Sequence, residues 1–243
     1  MLNITIILIE PENEGNLGAI VRLMKNFDIK NIIVINPKID VHSKIVYTRA
    51  MHGRDLLENL IQLPDLSELS KFDYLVGTTA RPSGDYNVLR ICISPKQLRE
   101  NLIDFNGNIG ILFGREGTGL TNKELEICDC CVHIPTSEKY PTLNLSHACC
   151  ILLYELFKLK ELSQNIRYRQ ANLIEKQTLY SFFDMILDHL NKNWAHFNEK
   201  RKNNAKRIFQ NIIGRSFISG REAYTLNSVL RYINLSIKRK FNP

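Results

Sequence analysis

Between residues 109 and 154 the chain passes twice from an apolar run into a loop of small residues, and each loop opens into a helix. The first run, I-G-I-L-F at 109–113, leads into G-R-E-G-T-G-L-T at 114–121. The second, C-V-H-I-P at 131–135, leads into T-S-E-K-Y-P-T-L-N-L-S-H-A at 136–148. Thr121 and Glu124 have the spacing of a capping box, so a helix is expected to start there. Another is expected from Asn144, with Leu145, Ala148, Leu152, Leu156 and Leu159 on one apolar stripe. Two ligand-shaped loops therefore lie at strand C-terminal ends, where open α/β sheets place their sites.

The rest of the chain repeats the alternation. Residues 4–9 form a continuous apolar run, as expected of a strand covered on both faces. A turn, E-P-E-N-E-G-N-L-G-A, follows, then a helix through Val21, Leu23, Met24 and Phe27, and a second strand at 31–35. Residues 39–60 read as a short helix followed by part of another at 54–60, and 63–69 as a helical turn or two. The next strand is 74–78, running into G-T-T-A-R-P-S-G-D. Ser94-Pro95-Lys96-Gln97 is a helix start, with Ser as cap, Pro at the first position and Gln at the third. Strands alternating with helices indicate an α/β fold with a mostly parallel sheet. Beyond it, 172–190, 194–213 and 219–237 read as three helices separated by Asn191-Lys192-Asn193 and by 214–220. The expected domains are residues 1–162, carrying the sheet, and 163–243, small and helical.

Charge separates the same two parts. Residues 1–160 hold 17 Lys and Arg against 19 Asp and Glu, and residues 161–243 hold 15 against 6, leaving −2 and +9. That asymmetry points the tail towards a polyanion, nucleic acid before others, with Lys200, Arg201, Lys202, Lys206 and Arg207 bunched together. No apolar run approaches the roughly 20 residues of a membrane span. The N-terminus lacks the basic start and cleavage site of a signal peptide, so a cytoplasmic protein is expected. The six cysteines lack zinc-site spacing, and buried reduced thiols are expected rather than a metal cluster.

Several chemistries lose ground. G-R-E-G-T-G-L-T lacks the Lys of a phosphate loop, E-G-N-L-G-A does not match G-x-G-x-x-G, and G-x-S-x-G is absent. Three strand-end loops remain: 78–80, 114–120 and 134–144. Their small residues suit a bent, mostly neutral ligand held by main-chain groups, such as an adenosine moiety with its base on apolar side chains.

The same residues carry a family resemblance. N-E-G-N-L-G-A-I-V-R at 13–22, F-G-R-E-G-T-G-L at 113–120, and I-P-T…Y-P-T-L-N-L-S-H-A at 134–148 resemble, in order and spacing, the three motifs of SPOUT-class RNA 2′-O-methyltransferases. The similarity is to the TrmH branch and its TrmJ type, in an archaeal-looking form, and extends to the tail around I-I-G-R-S-F-I-S-G-R-E. The resemblance implies a deep trefoil knot, which the general rarity of knots would not suggest. It also implies S-adenosylmethionine as methyl donor, a homodimer, and tRNA methylated on a ribose 2′-hydroxyl, at nucleotide 32 of the anticodon loop. Alternatives are a ribosomal RNA substrate or a non-catalytic RNA-binding protein of the same fold.

Carried over residue by residue, the resemblance implies donor contacts at Thr78, Thr79, Ala80, Gly114, Ile134, Pro141, Thr142 and Leu143. It places Arg22 as the catalytic arginine with Asn16 beside it, and Glu116, Asn144 and Ser146 as the polar residues of the other motifs. A guanidinium does not deprotonate near neutrality, so electrostatic stabilisation and phosphate positioning by Arg22 is favoured over proton abstraction. Tyr140 is left open between loop anchor and substrate contact, and His147 is expected to be an interior histidine. Glu10, Glu12 and Glu14 either stabilise the start of the first helix or repel RNA phosphate.

Overall fold

The apolar runs form strands covered on both faces. In the computed structural model, which describes residues 2–82, 91–159, 169–194 and 196–241, β1 (Leu2–Ile9) buries Ile6, Ile7, Leu8 and Ile9 on consecutive positions. Such burial is possible only with helices above and below a parallel sheet. Around it lie β2 (Asn31–Ile35), β3 (Ile61–Leu63), β4 (Tyr74–Thr78), β5 (Cys92–Ile93), β6 (Gly107–Phe113) and β7 (Cys130–Val132). All pairings among them are parallel, in the order β3-β2-β1-β6-β4-β7-β5. The expected strands at 31–35 and 74–78 match β2 and β4. The edge strands β3 and β5 were not expected, because each is only two or three residues long and none of their residues is fully buried. Such strands leave no apolar run to read.

The helices follow their caps. Ser94 caps α3 (Pro95–Asn101) and Thr121 caps α4 (Asn122–Glu126), each with both capping-box hydrogen bonds made. Asn144 caps α5 (Leu145–Phe157), whose expected stripe turns Leu152 and Leu156 into the core. The first helix departs from expectation. α1 (Glu14–Asn26) begins inside the stretch read as a turn, because the Asn13 side chain accepts from the Asn16 amide and starts the helix early. Gly18 is there for packing: a Cβ would lie 2.5 Å from the Val46 carbonyl oxygen of α2 (Lys44–Ala50). His147 is exposed on α5, not interior, since it falls on the side of that helix away from Leu152 and Leu156.

Contacts divide the chain into two compact units, Met1–Ile166 and Arg167–Pro243. The domain boundary expected at 162/163 lies outside the described residues, as does the end of the G-T-T-A-R-P-S-G-D loop. The second unit holds α6 (Leu173–Asn193), α7 (Glu199–Ser216) and α8 (Gly220–Phe241), with α6 packed on both others. α6 runs through the expected break at 191–193, where the Asn193 side-chain amide donates to the His189 carbonyl (2.8 Å) instead of ending the helix. Ser219 and Glu222 make the expected reciprocal cap at the start of α8.

Candidate functional site

β6, β4 and β7 are neighbours in the sheet, so their C-terminal ends, Phe113, Thr78 and Val132, deliver three loops to one place. Between these loops lies a cavity of about 360 Å³. That is within the range of small-molecule sites. Thr78, Thr79, Ala80 and Arg81 line one side, 114–120 the second, and Ile134, Pro141, Thr142 and Leu143 the third. Leu145, Ala148 and Leu152 of α5 form an apolar floor. All eight residues to which the family resemblance assigned donor contacts therefore face one space. The walls are tied together: the Thr78 hydroxyl donates to the Leu112 carbonyl (2.8 Å), the Thr79 amide to the Val132 carbonyl (3.0 Å), and the Thr136 hydroxyl to the Pro141 carbonyl (2.9 Å).

The 114–120 wall owes its shape to two glycines and an arginine. At Gly114 the loop folds back on itself so closely that a Cβ would sit 2.2 Å from the Gly119 carbonyl carbon. Gly119 itself has φ +70°, the left-handed region that glycine enters without a steric penalty. Arg115 then clamps the loop. Its guanidinium donates to Glu10 Oε2 (2.7 Å) at the end of β1 and to both carboxylate oxygens of Glu124 (3.0 and 3.1 Å) in α4. The Arg115 guanidinium holds the Glu10 carboxyl below its ordinary range. Burial alone would raise the Glu124 carboxyl, but Arg115 and the Thr121 amide outweigh it and lower it too. Both pull the Arg115 pKa further up, Glu124 more than Glu10. Depressed carboxyl pKa values stabilise the fold above the ordinary carboxylate range, and this contribution is lost as pH falls through the lowered values. Arg115→Met is therefore expected to flatten the fall of the thermal midpoint below about pH 4. Superimposable wild-type and variant profiles would mean the clamp carries no stability.

Beside the cavity, which Glu116 lines, three distant stretches meet in one hydrogen-bonded chain. Glu116 accepts from the Asn16 side-chain amide (2.9 Å) and, through its other oxygen, from the Glu12 main-chain N–H (2.9 Å). Asn16 in turn accepts from the Asn144 amide (3.0 Å), and Asn144 accepts from the Ser146 hydroxyl (2.7 Å) and N–H (2.9 Å). Four of the five residues carried over as catalytic are thus bonded in series. Arg22 is not brought to them: it is exposed on α1 and absent from the cavity lining. The three acids of the first motif divide. Glu10 is neutralised by Arg115, Glu12 reaches the Gly117 amide (3.4 Å), and Glu14 lies in the first turn of α1. Sequence reasoning missed the Glu10–Arg115–Glu124 clamp; its partners are 105 and 9 residues apart, and no local pattern encodes the longer pairing. Tyr140 projects from the third loop and is highly exposed.

Among the described residues no His, Cys, Asp or Glu cluster is placed to hold a metal, and no helix is long and apolar enough to cross a membrane. Cys128, Cys130, Cys131 and Cys149 are buried, and burial raises the Cys128 and Cys149 thiols, keeping them protonated. A parallel α/β sheet whose strand-end loops enclose a small-molecule cavity, with a polar relay beside it, defines an α/β ligand-binding domain. The chain belongs to the SpoU rRNA Methylase family, whose model matches residues 3–154. A tRNA (cytidine-2′-O-)-methyltransferase TrmJ of Methanocaldococcus jannaschii is 37% identical over 234 residues, covering 95% of this chain and all of that protein. Among solved structures, a probable methylase family protein of Haemophilus influenzae aligns with TM-score 0.65 and 26% identity over 98% of both chains. TrmJ of Z. mobilis aligns with TM-score 0.66 at 23% identity, over 94% of this chain and 98% of that one.

Proposed function

We propose that the protein is a cytoplasmic tRNA methyltransferase that moves a methyl group from S-adenosylmethionine to a ribose 2′-hydroxyl, at nucleotide 32 of the anticodon loop. The observation that carries this reading is the coincidence of the cavity and the relay: the lining suits an adenosyl group, and the Glu116–Asn16–Asn144–Ser146 chain lies at its edge. The full-length similarity to a tRNA 2′-O-methyltransferase supports the substrate class. The fit to the donor rests on the chemistry of the walls. Val132, Ile134, Leu143, Leu145 and Leu152 offer apolar surface for a base, and Thr78, Thr79 and Thr142 offer polar edges. When bound, the donor supplies a methyl group on a cationic sulfur.

The chain's own residues bind and orient. Loops 78–80, 114–120 and 134–143 hold the donor and shield it from water, and holding two reactants in register lowers the barrier by several kcal/mol. Each Glu116 oxygen accepts one hydrogen bond, and through them Glu116 braces Asn16 and the Glu12 main chain. The Asn144 amide holds Asn16 through its carbonyl oxygen, and the pair orients the ribose. Arg22 stabilises the oxygen as its proton passes to solvent and the methyl–sulfur bond breaks, and because it lies outside its own cavity it serves the cavity of a second copy in a homodimer. An apolar face supports that pairing: on α5, Ile151, Tyr154 (53% exposed) and Phe157 are exposed, and the Phe27 ring centroid lies 6.5 and 5.7 Å from those of Tyr154 and Phe157. Sedimentation at twice the chain mass is the expected result. The trefoil knot belongs to the same reading, as the family resemblance implies.

The experiment is incubation with labelled methyl donor and unmodified total RNA, followed by mapping of the alkali-resistant ribose. Label at nucleotide 32 is expected. Absence of transfer to any RNA would contradict the enzymatic reading, and label confined to ribosomal RNA would replace the substrate.

A further inference from the structure

The second unit has its own charge and its own exposed aromatics. Residues 167–243 contain fifteen Lys and Arg against five Asp and Glu. Several of the cations are already neutralised: Arg169 by Glu175, Lys202 by Asp188 and Lys206 by Asp184. On α8 the situation differs. The helix is pinned to α6 by two asparagines seven residues apart, Asn227 donating to the Glu175 carbonyl (3.2 Å) and Asn234 to the Phe182 carbonyl (2.9 Å). Ala223 and Asn234 are buried on that side. Fixing this face fixes the opposite one outwards. At 100° per residue Arg221 and Tyr232 lie opposite the buried side and Tyr224 and Arg231 on its flank, and with Leu235 they form one exposed arc of about 100°.

Tyr224 is 73% exposed and Tyr232 70%, and neither ring contacts another ring among the described residues. Arg221 and Arg231 are exposed and make no ion pair with a described residue. The one carboxylate on the helix, Glu222, is turned back onto the Ser219 amide and hydroxyl. Two flat rings thus stand about 12 Å apart along the axis, each with a guanidinium close in sequence that pairs with no described carboxylate. Basic groups alone would suit any phosphate backbone. Rings add something different: they stack on bases, which a duplex keeps stacked on each other and a single-stranded loop exposes.

We propose that this face of α8 is a stacking platform for unpaired bases of an RNA loop, with Tyr224 and Tyr232 as base contacts and Arg221 and Arg231 as phosphate contacts. The proposal rests on the reading of the protein as an RNA methyltransferase and names how its substrate is gripped. A second copy of the chain is a poorer occupant, because it would bring the same unpaired cations onto these.

The test is binding of a fluorescent single-stranded oligoribonucleotide, and of a blunt RNA duplex, to the full chain over a range of salt. Tyr224→Ala and Tyr232→Ala are each expected to weaken single-strand binding about tenfold, with the salt slope and duplex binding unchanged, while the Phe variants bind normally. Arg221→Gln and Arg231→Gln are expected to lower the salt slope by about one each. Undiminished single-strand affinity in the Tyr224→Ala, Tyr232→Ala double variant would overturn the platform. So would a change in sedimenting mass of that variant, which would show that another copy covers the face. Wild-type chain that binds single strands in this pattern but transfers no methyl group would sink the enzymatic reading alone and leave the platform standing.

Discussion

Arg22→Ala is expected to slow methyl transfer by about 100- to 1,000-fold while leaving donor affinity within about twofold of wild type. The expectation joins two facts that seem opposed. Arg22 has no place in the lining of the cavity of its own chain. Yet it is a permanently charged, exposed guanidinium on α1, the helix whose Asn16 enters the relay. A cation placed against the ribose oxygen from a neighbouring copy would act only as negative charge develops there, so it would affect turnover and not donor binding. Arg22→Lys should recover part of the rate, since it keeps the charge and loses the planar fork. Mixing inactive Arg22→Ala chains with inactive Asn144→Ala chains should restore activity through hybrid dimers that retain one intact site. Turnover of Arg22→Ala at the wild-type rate would remove this residue from the mechanism.

Gly114→Ala should be the most damaging single change to donor binding, weakening it about 100-fold and destabilising the fold by about 1–3 kcal/mol. The added Cβ would meet the Gly119 carbonyl carbon at 2.2 Å and the Leu120 nitrogen at 2.3 Å. Both are main-chain atoms, so no rotamer change relieves the overlap and the loop must open. Gly119→Ala is the informative contrast. No atom lies within 4 Å of its Cβ position, and the cost is the left-handed backbone alone, about 1–2 kcal/mol. Calorimetry with S-adenosylmethionine and thermal melts should separate the two; equal donor affinity in Gly114→Ala and wild type would mean the loop is not a donor wall.

How much of this was legible depended on whether the determinant was local. Continuous apolar runs marked β1, β2, β4 and β6, and Ser94–Gln97 and Thr121–Glu124 marked helix starts that the structure closes with both cap bonds. The parallel class followed from alternation alone. The edge strands β3 and β5 were not readable, because they are held by a single neighbour each and are only two or three residues long. The start of α1 was misplaced because Gly15 and Gly18 suggested a turn, whereas Gly18 is small so that α2 can approach. At the site, the loops that form the cavity were visible as strand ends rich in small residues, but their assignment to a methyl donor came from family resemblance. The Glu10–Arg115–Glu124 clamp and the Asn16–Glu116 and Asn16–Asn144 bonds join residues about 100 or more positions apart, apart from Arg115 and Glu124. Only the folded sheet, with β6 inserted beside β1, brings them together.

The central claim is that the space between the ends of β4, β6 and β7 holds the methyl donor, and titration calorimetry of the full chain with S-adenosylmethionine tests it most directly. Saturable binding of one donor per cavity is expected in the wild type, weakened about 100-fold in Gly114→Ala and retained in Arg22→Ala. Absence of saturable heat in the wild type, or binding indifferent to Gly114→Ala, would contradict it.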